Sequence, residues 1–212
     1  MSIVTIDFET YYSKDFSLTK MTTEEYVRSE QFEVIGVSAQ VDDAEPVWFT
    51  GTMLEIHEFL KALQLDQHMV LAHNAQFDGA ILTWLFNIKP KRWLDTLSMA
   101  RAVHGTEVGG SLKKLAEYYD VGVKGEEVVQ AMGLRRQDFP DDQLARYGEY
   151  CKNDVALTYK IFRLMMPFPT FELSLIDLTL RMFTEPVLQL NRQKLHTHLL
   201  TCLLYTSDAA DE

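Results

Sequence analysis

Apolar positions come in two kinds of pattern along this chain: short β-branched runs dominate the first half, and helical periods dominate the second. "SIVTIDF" (Ser2–Phe8) is short and rich in β-branched residues, which predicts a buried strand. "FEVIGVSAQV" (Phe32–Val41) and "EPVWFT" (Glu45–Thr50) predict two more strands, with "DDAEP" between them as a hairpin turn. Thr52–Leu63 has apolar residues at helical spacing behind a Thr cap. His68–Asn74 reads as a fourth strand. Ala75–Phe86 reads as a helix with Asn74 placed as its N-cap. Arg92–Val103 reads as a short strand running into a helix, and Ser111–Tyr119 as a helix capped by Ser111. Asp141–Met166 is a long helical stretch that Gly148 weakens mildly, and "PFPTF" ends it. A further helix follows over Phe171–Phe183. Strands first, then strands mixed with helices, then helices, predict an α/β or α+β layer fold with a mixed sheet.

The chain has 212 residues, enough for one domain or one domain and a fragment of a second. Its 47% hydrophobic and 24% charged residues describe a globular protein able to bury a core. No apolar run is long enough for a membrane span, and no basic region precedes an apolar stretch at the N-terminus as in a signal peptide. Cys151 and Cys202 make neither a disulfide framework nor a zinc pattern, so a reducing, cytoplasmic setting is expected. The formal net charge of −11 argues, taken alone, against a nucleic-acid partner. "YTSDAADE", at the C-terminus, has no apolar period and no capping pattern, and reads as the end of an interrupted reading frame.

The candidate chemistry starts with "VTIDFETYY". Residues two apart in a strand share a face, so Asp7 and Glu9 project together, away from Ile6 and Phe8. Two carboxylates held side by side repel, and a hard divalent cation such as Mg2+ or Mn2+ resolves the conflict. A strand end whose acids face water fits the same residues. In "AHNAQFDGA", Asn74 and Asp78 share a helix face; a cap and a first-turn acid explain them equally well. In "YGEYCKNDVALTYKIF", Tyr150 and Asp154 stand four apart beside an apolar stripe, as a functional pair or as a structural Tyr–Asp hydrogen bond.

Taken in order, "DFE", "HNAQFD" and "YCKND" resemble the three exonuclease motifs of the DEDD superfamily, and the Tyr four residues before the last Asp resembles its DEDDy branch. The sister branch has a His five residues before that Asp, where this chain has Glu149. Asp7–Val37 looks like the opening of phage-type family A DNA polymerases, and Ile176–Leu195 like the connector into their polymerase region; the likeness covers about residues 1–200. The resemblance implies a ribonuclease-H-like fold: an α/β mixed central β-sheet flanked by helices, with a C-terminal helical fragment. It implies a 3'-5' exonuclease domain over 1–168, the start of a connector to a polymerase region over 169–200, and a non-native tail over 201–212. It also implies two divalent ions, Mg2+ or Mn2+. Asp7, Glu9 and Asp154 would ligate one, Asp7 would bridge to the second, and Asp78 would hold the second largely through water. Tyr150 would orient the attacking water, since a phenol is a weak base near neutrality.

Thr10 and Asn74 are candidate substrate contacts, and Tyr11, Tyr12 and Phe77 could stack on bases, although each also fits packing. Asp95 of "WLDT" matches a residue that usually supports the site. The implied activity is proofreading: hydrolysis of a single-stranded or frayed DNA 3' end to 5'-nucleotides by a monomer, with the polymerase region in the same chain and no membrane partner. Bound metal ions would offset part of the acidity, and the basic residues of Lys89–Arg101 could run beside the strand. A ribonuclease D-like exoribonuclease, a non-catalytic binding module on the same fold, and an acidic protein unrelated to nucleic acid are the competing readings.

Overall fold

The computed structural model describes residues 1–125 and 131–208. Five strands form one sheet: β1 (Ile3–Thr10), β2 (Val34–Val41), β3 (Val47–Phe49), β4 (Met69–Ala72) and β5 (Arg92–Asp95), in the order β3-β2-β1-β4-β5. β1 is antiparallel to β2 and parallel to β4, and β4 is parallel to β5, so the sheet is mixed as expected. The chain builds outward on one side of β1 and then crosses to the other, so the C-terminal ends of β1 and β4 flank a topological switch point. Open α/β sheets bind ligands in the crevice at such a point.

The alternation in β1 sorts its side chains. Val4, Ile6 and Phe8 enter a core shared with Ile56 and Leu60 of α2 (Met53–Ala62) and Ala75 and Ala80 of α3 (Ala75–Ala80). On the other face Leu71 and Leu94 pack with Met99 of α4 (Thr96–His104), Leu115 of α5 (Leu112–Tyr119), and Leu157 and Ile161 of α6 (Asp141–Leu164). Two capping predictions hold: Thr52 forms a reciprocal capping box with Glu55, and the Ser111 hydroxyl accepts from the Lys114 N–H.

Two local expectations need correction, and one element was not expected. Asn74 precedes α3 with φ +66°, a left-handed conformation Asn tolerates, and its side chain makes no capping hydrogen bond. The helix expected through Phe86 widens after Ala80 into a π-type turn over Ile81–Leu85. A five-residue helix, α1 (Thr23–Val27), stands in a stretch with no sequence expectation and is held by a Thr22–Glu25 capping box.

α7 (Thr170–Thr184) docks on the β5 edge: Asp177 accepts from the Trp93 N–H, and Arg181 donates to the Pro90 carbonyl. Its outer face leaves Phe171, Leu178 and Met182 exposed. α8 (Arg192–Asp208) carries helix four residues into "YTSDAADE", beyond the sequence expectation, while residues 209–212 lie outside the described ones. Arg192–Cys202 is exposed throughout. Among the described residues no helix is long and apolar enough to cross a membrane.

Candidate active site

The acids converge at the C-terminal half of β1. Asp7 and Glu9 project from the strand face that α6 covers, where Cys151 of α6 is fully buried. The Cys151 thiol donates to the Asp7 backbone and side-chain oxygens, both at 3.4 Å. One potential ligand atom from each of Asp7, Glu9 and Cys151 falls within 4.8 Å of the other two. Asp78 reaches in from α3, 3% exposed, and its Oδ1 accepts from the Phe8 N–H at 3.1 Å. It does so just past Thr5, the last β1 residue paired with β4, where the strands' backbone groups part. Asp154 comes from α6, 4% exposed, and pairs with Lys124.

The electrostatics reflect crowding of like charge. Burial, then the neighbouring Asp154, push Asp7 up to about 7. Burial and the Asp7 charge raise Glu9 and Asp78 well above the usual carboxylate range. Burial, then Asp7, raise the Cys151 thiol, so it stays protonated and acts as a donor. Tyr150 lies against the cluster, one helical turn before Asp154 on α6. Burial, with the Asp154 and Glu9 charges, raises its pKa, so the phenol keeps its proton. Carboxylate oxygens from three elements at mutual repulsion make a donor set that fits a hard divalent cation.

Thr10 is buried beside this cluster and its hydroxyl shares a 3.0 Å hydrogen bond with Tyr26. The register of β1 against β2 shifts between Glu9 and Thr10, a bulge that re-aims the strand end. There a cavity of about 270 Å³ is lined by Glu9, Thr10, Tyr12, Tyr26 and Phe77 among others. Two of the three aromatics considered for stacking therefore face one hollow with Glu9, while Tyr11 packs against Phe16. Asn74 is exposed, and its backbone rather than its side chain makes the contact that fixes it, donating to Asp95 at 2.9 Å. Asp95 is a support: it also accepts from the N–H groups of Ala75, Leu97 and Ser98. His73 is bound to Thr96 at 2.9 Å.

Three residues of the site escaped the sequence reading. Tyr147 donates its hydroxyl to Glu9 Oε2. It stands one turn before Tyr150 and two before Asp154, so helical periodicity held the signal. Cys151 follows from the same period. Lys124 lies 30 residues from Asp154 with its ammonium 5.1 Å from the Tyr150 ring centre, and nothing local announces it.

Residues 2–167 match the family model described as 3'-5' exonuclease, of the DNA polymerase A exonuclease type. No curated protein matches the sequence. Among solved structures, Brucella melitensis NrnC is similar over 86% of this chain and 83% of its own, with TM-score 0.62 and 16% identity; a second NrnC structure holds Mg2+. Trypanosoma brucei RNase D in complex with RNA U12 gives TM-score 0.63 and 18% identity over 89% of this chain and 66% of its own. The family B DNA polymerase of the archaeon Pyrobaculum calidifontis gives 0.60 and 14% over 87% of this chain and 27% of its own. At these identities the likeness establishes the fold, the mixed sheet between helical layers expected from the motifs.

Proposed function

The chain belongs to the 3'-5' exonuclease family, and from that premise we propose that it hydrolyses DNA from the 3' end to 5'-nucleotides, as the proofreading part of a family A polymerase-type protein. The observation that carries the reading is the meeting of Asp7, Glu9, Asp78 and Asp154, from three separate elements, with Tyr150 against them.

Each group has a role in this reading. Asp7, Glu9, Asp78 and Asp154 would hold two divalent ions, Mg2+ or Mn2+, which when bound activate a water and stabilise the leaving 3'-oxygen. Asp7, with Glu9 and Asp154 as charged neighbours, would be among the acids that hold the ions. Tyr150 orients the attacking water by hydrogen bonding, because its raised pKa rules it out as a base near neutrality. The hollow lined by Thr10, Tyr12, Tyr26 and Phe77 receives the terminal nucleotide, its aromatic walls suiting any base. A single-stranded or frayed end is the substrate, because a base must leave its stack to enter such a hollow. A polymerase region in the same chain would deliver that end to a monomeric exonuclease in the cytoplasm.

A second reading has a specific observation behind it: RNase D of Trypanosoma brucei, whose structure includes RNA U12, shares the fold. The deciding experiment incubates the chain with 3'-labelled single-stranded DNA or RNA of one sequence, with Mg2+, Mn2+ or EDTA, beside Asp154→Asn. Metal-dependent release of mononucleotides, faster from DNA and reduced more than about 100-fold in the variant, is expected; that is beyond what a supporting residue typically costs. Faster release from RNA would favour the ribonuclease reading. No release from folded protein with either metal would leave a binding module.

A further inference from the structure

Glu9 is gripped from the far side of the site. Tyr147, 2% exposed, donates its hydroxyl to Glu9 Oε2 across 138 residues of sequence. A carboxylate so bonded keeps its second oxygen for a cation, and loses the freedom to rotate that a strand-end Glu would otherwise have.

The Tyr147 ring is itself fixed. It stacks on Phe139 with ring centres 5.5 Å apart and planes 12° apart, and on Tyr150 at 6.2 Å and 13°. Trp48 of β3 meets its edge at 6.4 Å. The hydroxyl that grips Glu9 and the hydroxyl beside Asp154 thus belong to adjacent rings of one stack on α6. We propose that Tyr147 is a positioning residue of the exonuclease site, which holds Glu9 in the orientation that ligates a divalent ion. This rests on the metal-dependent reading above and adds a residue to it. Groups that hydrogen-bond a ligating carboxylate typically govern about 10- to 100-fold in metal affinity or activity.

Tyr147→Phe deletes one oxygen and keeps the ring in its stack. The test titrates the metal-free chain with Mn2+ alone, read by electron paramagnetic resonance, for the wild type, Tyr147→Phe, Glu9→Gln and the double variant, with thermal melts to check folding. Mn2+ affinity is expected to fall about 10- to 100-fold in Tyr147→Phe. In the Glu9→Gln background the same change should cost nothing further, since the acid it serves is gone. Cleavage by Tyr147→Phe should need correspondingly more Mn2+ and recover most of its rate at saturation, whereas a general packing defect would not recover. Wild-type affinity in Tyr147→Phe, or an equal loss in both backgrounds, overturns the inference. A wild type that binds no Mn2+ overturns the metal reading itself, which separates the two failures. As a check that leaves Tyr147 unaltered, the chain is labelled with 13Cζ-tyrosine, the Tyr147 resonance being assigned by its loss in Tyr147→Phe. That resonance should move on adding Mg2+ to the wild type and stay unmoved in folded Glu9→Gln; a Tyr147 resonance indifferent to Mg2+ counts against the proposal.

Discussion

At the end of β5, Asp95 is 3% exposed and surrounded by donors: the N–H groups of Asn74, Ala75, Leu97 and Ser98, and the Ser98 hydroxyl at 2.6 Å. Two strands away, at the end of β1, Asp7 and Glu9 are surrounded largely by other acids, with Lys124 paired to Asp154 and the Cys151 and Tyr147 donors at the margin. Asp95 is buried where Asp7 and Glu9 are half-buried, and the surroundings are opposite. A carboxylate ringed by backbone N–H groups is architecture: it ties the β4–α3 corner to the start of α4. Carboxylates ringed by carboxylates fold at a cost that a divalent cation offsets.

The largest expected effect comes from exchanging the two kinds of acid for neutral groups. Asp95→Ala removes a helix cap, about 1–2 kcal/mol, and leaves at least one buried donor unpaired, about 1–3 kcal/mol. Denaturant unfolding in EDTA should therefore show a loss of roughly 3 kcal/mol. Under the same conditions Asp7→Asn should gain stability by removing a repelling charge. Equal losses in both variants would break the comparison.

A smaller effect appears in pH. Asp7 titrates near 3.8 when unfolded and at about 7 in the fold. Between those values the folded chain holds a proton that the unfolded chain has released, so stability falls as pH rises through this window and stays reduced above it. Melting in EDTA should give a higher Tm at pH 5 than at pH 8, with a smaller difference in Asp7→Asn. A difference unchanged by that substitution would assign the slope to other groups.

The smallest effect concerns Lys124, whose side chain is 27% exposed and thus partly screened. Lys124→Met removes an ammonium that competes with metal for Asp154. The rise in Tm on adding Mn2+ should exceed that of the wild type, and a reduced rise would mean that Lys124 assists metal binding.

What the sequence disclosed follows the same division. Periodicity reports what a residue's own element does with it, so strand alternation placed Asp7 and Glu9 on one face, and Thr52 and Ser111 were legible as caps. α1 was missed because its five residues are too few for a period. Asn74 was misjudged because its left-handed backbone is set by Asp95, 21 residues away. Strand order and the Lys124–Asp154 pair are long-range facts, which a one-dimensional pattern does not carry. Tyr147 lay within reach of helical periodicity and was passed over for Tyr150, because the family motif named only the latter.

Gly148 also looked like a mild flaw in α6, and its surroundings reverse that view. A Cβ at Gly148 would stand 2.5 Å from the Trp48 ring, and one at Gly36 of β2 would stand 2.4 Å from the same ring. Trp48 is therefore a shim between sheet and helix, and three positions far apart in sequence share one volume. Enlarging either glycine forces the indole to move, and the indole borders the tyrosine that holds Glu9. A smaller residue at 48 should thus admit an alanine at 148, whereas position 36 stays closed to one, because a Cβ there would also stand 2.7 Å from the Phe49 carbonyl oxygen.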